Sequence, residues 1–239
     1  MAHPAPAADF RVRVAAVKRD RMRARLIAAT MDAFLIAGSG RAPVIDDVIR
    51  AAEVSRGTFY KYFDSLDEVL AEIGRHMADE MLSSVERLFA DVEDAAVRTA
   101  AGPLMAMARA AMEPRHAAFI ARVDFIDFLG GVDPRSLIVK RSLDDGRAQG
   151  RLKFESLDAA VDLVVGVSLE GARRILKTGV LDGAYIRETT TLVMLGLGLP
   201  RKAAERAVAA AWQHLQKSAA ELHWWKPVSD MNKTHQGTR

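Results

Sequence analysis

In residues 66–89, LDEVLAEIGRHMADEMLSSVERLF, the apolar residues Leu66, Val69, Leu70, Ile73, Met77, Met81, Val85 and Leu88 return every three or four positions. Only a helix gathers residues at that interval onto one face. The same interval starts near Lys18 and runs through Met22, Leu26, Ala29, Ala33, Phe34 and Ala37. It predicts further helices at about 94–112, 115–129, 134–149, 157–178, 183–197 and 201–225. Pro114, Gly130-Gly131, Asp133-Pro134, Gly150, Gly179 and Gly198-Leu199-Pro200 mark the joints between them, and Gly102-Pro103 is a candidate break inside the first. No stretch alternates with the period of two that a half-buried strand requires. The chain is therefore read as all-α.

Between Ala37 and Asp64 the helical pieces are short. Gly38-Ser39-Gly40 stops the first helix, and Pro43 leads into a helix over about Val44–Ala52 with Ile45, Val48 and Ile49 inward. A turn at Glu53-Val54 follows. Ser55 is placed to cap a third helix running to about Phe63, and Ser65 with Glu68 has the spacing of a capping box for the fourth. The third helix is unusual. The chain is only 6% aromatic, yet Phe59, Tyr60, Tyr62 and Phe63 fall within five residues. Phe59 and Phe63 share one face and belong to the core. Arg56, Thr58, Tyr60, Lys61 and Tyr62 point elsewhere and carry hydrogen-bond donors. Gly57 is a poor helix former, and close approach of something large is one reason for it.

Two short helices joined by a tight turn, the second bearing such donors, describe a helix-turn-helix whose second helix enters the DNA major groove. Arg can pair with guanine there, and Thr can bond a base or touch a thymine methyl. Tyr and Lys more often reach phosphates. Charge agrees. Residues 1–63 hold eleven Lys/Arg against six Asp/Glu, a balance of +5, which leaves −2 for the rest of a chain whose net charge is +3. A basic end on a mildly acidic body suits a polyanion partner, and equally a solvated tail.

Residues 21–73 resemble the DNA-binding domain of the TetR family of bacterial transcriptional regulators, through RLIAATMDAFLIAGSG and then IDDVIRAAEVSRGTFYKYFDSLDEVLAEI. The remainder is similar only in helical layout. The resemblance implies a homodimer on a palindromic operator in double-stranded DNA, with an N-terminal three-helix helix-turn-helix domain. It also implies a C-terminal helical domain for ligand binding and dimerisation, in which a small hydrophobic or amphipathic inducer weakens DNA binding. Arg56, Gly57 and Thr58 match base-edge positions, and Tyr60, Lys61 and Tyr62 match positions touching bases or phosphates. Pro43, Val44 and Ser55 complete the expected DNA-binding set. Three positions depart from the family pattern. Val44 replaces the usual Thr or Ser cap of the second helix. Glu53 stands where many members have Gly, at a cost of roughly 1 kcal/mol if the turn needs a positive φ. Leu66 replaces a frequent phosphate-binding Lys.

The expected organisation is a disordered basic arm over 1–17, in which Arg11 and Arg13 are candidates for minor-groove contact, then a DNA-binding domain over 18–64. A ligand-binding and dimerisation domain over 65–226 and a disordered tail over 227–239 follow. The C-terminal helices, with the apolar stretches at 157–176 and 187–199, are the expected dimer interface. The expected ligand pocket draws on Met105, Met112, His116, Phe119, Asp124, Phe128 and Glu170. Asp124 can instead pair with Arg122 or face water, and the Met residues can be ordinary core. Glu72, His76 and Glu80 have a metal-compatible i, i+4, i+8 spacing, but a polar stripe on an amphipathic helix is the simpler reading, and no metal or cofactor is expected. His223-Trp224-Trp225 ends the last predicted helix and suits a packing or dimer contact.

The chain has no Cys, which removes thiolate chemistry, and no His with a convincing nucleophile or acid partner. No catalytic residues are assigned. No apolar run approaches the ~20 residues that span a bilayer, and no apolar stretch of a secretory signal precedes the first charges. The expectation is a cytoplasmic, ligand-released repressor. A regulator without an inducer, an architectural DNA-binding protein and, behind these, an all-α enzyme are the alternatives.

Overall fold

Helix formation begins earlier than the apolar pattern suggests. In the computed structural model of the chain, which describes residues 6–36, 42–120, 136–179 and 182–226, α1 runs without interruption over Pro6–Ile36. Of the arm expected to be disordered over 1–17, residues 6–17 are helical instead, and residues 1–5 lie outside the described residues: Pro6 stands at the first helical position, where its missing N–H costs nothing, and no Gly or Pro interrupts the chain between it and Ile36. Residues 13–21 are all exposed.

The chain divides into two units, Met1–Ile73 and Gly74–Arg239. In the first, α2 (Ile45–Ala51) and α3 (Arg56–Phe59) follow α1, and α4 (Leu66–Leu88) begins. Leu26, Val48, Phe59, Phe63 and Val69 are almost wholly removed from water and form its core.

In the second unit α4 continues, followed by α5 (Ala95–Met112), α6 (Pro114–Ile120), α7 (Ser136–Ala148), α8 (Leu157–Thr178), α9 (Gly183–Gly196) and α10 (Arg201–Ser218). No strand occurs among the described residues. α5 is the axis: α6, α7, α8, α9 and α10 all pack on it. Fourteen of its eighteen residues are buried, so it is apolar nearly all round, as a central helix must be. That burial explains why Pro103 does not break it. The ~3 kcal/mol cost of an interior Pro is small beside the apolar contacts of a helix enclosed on every side.

α8 approaches α5 closely at Gly171. A Cβ there would stand 2.5 Å from Met107 Sδ. α10 ends at Ser218, seven residues before the predicted limit, and passes through a short 3-10 turn at Ala219–Glu221. His223, Trp224 and Trp225 thus lie beyond the helix. Trp224 is buried, with the Arg109 guanidinium 5.7 Å from its ring centroid, and Trp225 packs against Trp212 at 6.0 Å. No described helix is long and apolar enough to cross a membrane.

Candidate nucleic-acid interface and ligand cavity

α3 is held from below and open above. Phe59 and Phe63 are 0% and 1% exposed, as their i, i+4 spacing predicts. Arg23 fixes the end of this segment. Its guanidinium lies 4.3 Å from the Phe63 ring centroid, donates from Nη1 to the Tyr62 carbonyl at 2.9 Å, and forms a two-pronged pair with Glu72, in which Nε donates to Oε1 at 2.9 Å. The Glu72 hydrogen bond raises the Arg23 pKa above its ordinary value. Arg23 counts towards the basic N-terminal segment in sequence, yet its charge is spent inside the fold. Glu72 accordingly is not part of an exposed polar stripe; it is 9% exposed.

The turn between α2 and α3 has the geometry that the departure at Glu53 implies. Glu53 has φ 50°, and no other described non-glycine residue has a positive φ. The Val54 N–H bonds to the Ile49 carbonyl at 3.0 Å and the Glu53 N–H to the Arg50 carbonyl at 3.2 Å, closing α2 in the left-handed helix-end motif. Arg25 Nη2 reaches Glu53 Oε2 at 3.3 Å. Val44 has no side-chain acceptor to cap α2, but the Asp47 carboxylate accepts from the Val44 N–H at 3.0 Å, supplying half of a capping box.

Ser55 caps α3 as its position predicts: its Oγ accepts from the Thr58 N–H at 3.1 Å and lies 2.9 Å from Thr58 Oγ1. α3 stops at Phe59, short of the expected Phe63, though turns continue through Tyr62 with Lys61 N–H to Thr58 carbonyl and Tyr62 N–H to Phe59 carbonyl bonds. Arg56, Gly57, Tyr60 and Lys61 are exposed, and Thr58 and Tyr62 half-buried. A Cβ on Gly57 would meet only Ser55 Oγ, at 3.9 Å. The chain's own packing does not demand glycine there. Arg56 Nη2 donates to Asp46 Oδ1 at 2.6 Å, and this bond raises the Arg56 pKa. Val44 is exposed, whereas Pro43 is buried and presents no surface.

The second unit contains a partly open apolar cavity of about 130 Å³. Met77, Met81 and Val85 of α4, Ile138 and Val139 of α7, and Val164 and Val165 of α8 supply most of its wall. Of the expected pocket residues, His116 lines it. Met105 and Phe119 are core residues outside its lining, and so is Met112, whose Sδ accepts from the Lys226 N–H at 3.3 Å. Glu170 faces solvent beside Arg173, and Asp124 and Phe128 lie outside the described residues. The lining from α4 and α7 was not anticipated; their periodicity marks apolar faces but not which of these faces surround a void.

His116 is the chemically distinctive group. It is 5% exposed and has no hydrogen-bond partner among the described residues. Burial, helped by the Arg109 charge, pushes its pKa down to about 3, so the imidazole is neutral at physiological pH. Arg109 is buried too, paired with Glu113 (Nε to Oε2, 2.7 Å) and Glu80 (Nη2 to Oε2, 3.0 Å), its Nη1 without a partner. Among the described residues no group of three His, Asp or Glu is arranged to hold a metal ion.

No protein-family model and no curated protein sequence matches the chain. Solved structures do. RolR in complex with resorcinol is 22% identical, spans 81% of this chain and 96% of its own, and superposes with a TM-score of 0.62. The fatty acid degradation regulator FadR from Bacillus halodurans is 17% identical over 75% of this chain and 97% of its own, with a TM-score of 0.56. A TetR-family transcriptional regulator from Pectobacterium atrosepticum is 23% identical over 76% and 96%, with a TM-score of 0.53. The chain has the fold of the TetR-family regulators.

Proposed function

We propose that this chain is a cytoplasmic, homodimeric transcriptional repressor that binds a palindromic operator and releases it when a small molecule occupies the cavity. It has no catalytic role in this reading. The observation that carries the proposal is the build of α3. Arg56 and Gly57 on a short helix, and Tyr60 and Lys61 in the turn that follows it, stand exposed; buried Phe59 and Phe63 anchor the segment, which is entered through a tight left-handed turn. Arg56 and Thr58 are the base-reading candidates, and Tyr60, Lys61 and Tyr62 the phosphate-facing ones. Open space at Gly57 suits a groove wall that approaches the backbone. The structural neighbours support the ligand part: one was solved with resorcinol, and others are named as receptors for gamma-butyrolactone. Dimerisation falls to α9 and α10, where Leu192 is a large apolar side chain left 56% exposed.

Footprinting tests the reading. Protection of a palindrome supports it; uniform coating of any duplex favours an architectural role instead. Arg56→Ala should relax the preference at one base position, and Lys61→Ala should weaken binding to all sequences and reduce the salt slope by about 1.

A further inference from the structure

The cavity wall is apolar except at a few points, and each of these is uncharged or already committed. Arg98 reaches the wall, but its Nη1 donates to the Val92 carbonyl at 2.7 Å and the Glu93 carbonyl at 2.9 Å, and its Nη2 to Asp145 at 3.2 Å. Ser168 Oγ donates to the Val164 carbonyl at 2.6 Å. Thr99 Oγ1 and Ser142 Oγ share one hydrogen bond at 3.2 Å, which leaves acceptor capacity at both. Among the described residues no carboxylate lines the cavity. His116 is 5% exposed, and among the described residues neither of its ring nitrogens has a hydrogen-bond partner.

We propose that the cavity takes a small uncharged one-ring compound carrying a hydroxyl, and that His116 recognises that hydroxyl. This rests on the regulator reading above for its biological meaning, but not for its chemistry. Size sets the ring count: a dry apolar cavity of about 150 Å³ is known to hold benzene, and this one is about 130 Å³. The described wall offers no free counter-charge, and this sets the ligand's charge, because an ammonium or carboxylate would enter unpaired there. A neutral imidazole offers one donor and one acceptor, so it meets a hydroxyl in either sense. Burial keeps the ring in that neutral form, with its pKa near 3.

The test is calorimetric titration of the full chain with phenol, toluene, benzoate and benzylammonium. The expected order is phenol about tenfold tighter than toluene, and both charged compounds weaker than toluene. His116→Phe should bring phenol and toluene to equal affinity. Because that variant could fold poorly, the wild-type chain carrying 15N-labelled histidine gives a second reading: phenol should shift the His116 ring signals, and toluene should not. Equal affinity for phenol and toluene in the wild type overturns the proposal, as does tightest binding of a charged compound, or no binding of any. DNA release is read separately. Phenol binding that depends on His116 while DNA stays bound defeats the regulator reading and leaves the ligand assignment standing. DNA release by a charged ring compound does the reverse.

Discussion

α3 and the cavity hold their polar groups in opposite ways. On α3 the donors sit in water, and where they need partners the chain provides them nearby: Asp46 for Arg56, Ser55 for Thr58. In the cavity the His116 imidazole is buried with no hydrogen-bond partner among the described residues. Exposed polar groups cost little when the partner is absent, because water replaces it. A buried one keeps its full cost until something binds. In the proposed reading the surface site is thus complete before DNA arrives, while the cavity is incomplete until a ligand fills it.

Phe59→Ala is the strongest way to break this contrast, since it removes the anchor beneath α3. The side chain is 0% exposed, and loss of such a Phe costs about 3–5 kcal/mol. Chemical denaturation should show that drop, with DNA binding lost alongside. A drop below ~1 kcal/mol would mean α3 is held by something other than its aromatic core.

His116 sets the next largest effect. Its folded pKa is about 3, against roughly 6.5 unfolded, so the unfolded chain binds more protons anywhere between those values. Stability is unaffected by this group above pH ~6.5 and falls as pH drops through the window to ~3. By pH 5 the loss from this residue should reach about 2 kcal/mol. Comparing melts of wild type and His116→Phe from pH 7 to 5 isolates it: the variant should lack that part of the slope. Parallel curves would mean that His116 is charged or solvated in the folded chain.

Legibility in the sequence follows the same divide. Local spacing found Phe59, Phe63 and the Ser55 cap, and the family resemblance pointed to the positive φ at Glu53. α8 was read to its residue limits because its stop, Gly179, is local as well; Ser156, whose side chain caps its start, was not singled out. The cavity depends on how α4, α5, α6, α7 and α8 meet. Apolar periodicity predicts that Met105 and His116 both leave the surface, but not that one joins the core and the other faces a void. Arg23 was misjudged for the same reason: its partner, Glu72, is forty-nine residues away. The end of α10 was overrun because Ala219–Trp225 lacks Gly and Pro, and the burial of Trp224, not a breaker residue, redirects the chain.

Glu53→Gly sharpens the comparison at the turn. A Glu at φ 50° carries strain that Gly does not, worth roughly 1 kcal/mol. The exposed pair with Arg25 offsets part of that at most. A thermal melt should therefore rise modestly, with operator affinity unchanged. A melt that falls would show that the Arg25 pair or the added chain entropy outweighs the strain.

Asp46→Asn gives the smallest change in stability and the most informative change in binding. The Asp46–Arg56 pair is fully exposed, so breaking it should leave the melt where it is. Its effect on DNA has two parts. Asp46 places a negative charge beside the surface proposed to meet phosphates, and it holds the guanidinium proposed to read guanine. Replacing it lifts repulsion for every sequence, so non-specific affinity should rise. If the clasp also aims the Arg56 fork, operator affinity should rise less than non-specific affinity, and the ratio of the two should shrink. If Arg56 simply leaves Asp46 on binding, both affinities rise together and the ratio holds. Measuring operator and random duplex at one salt concentration separates the two cases.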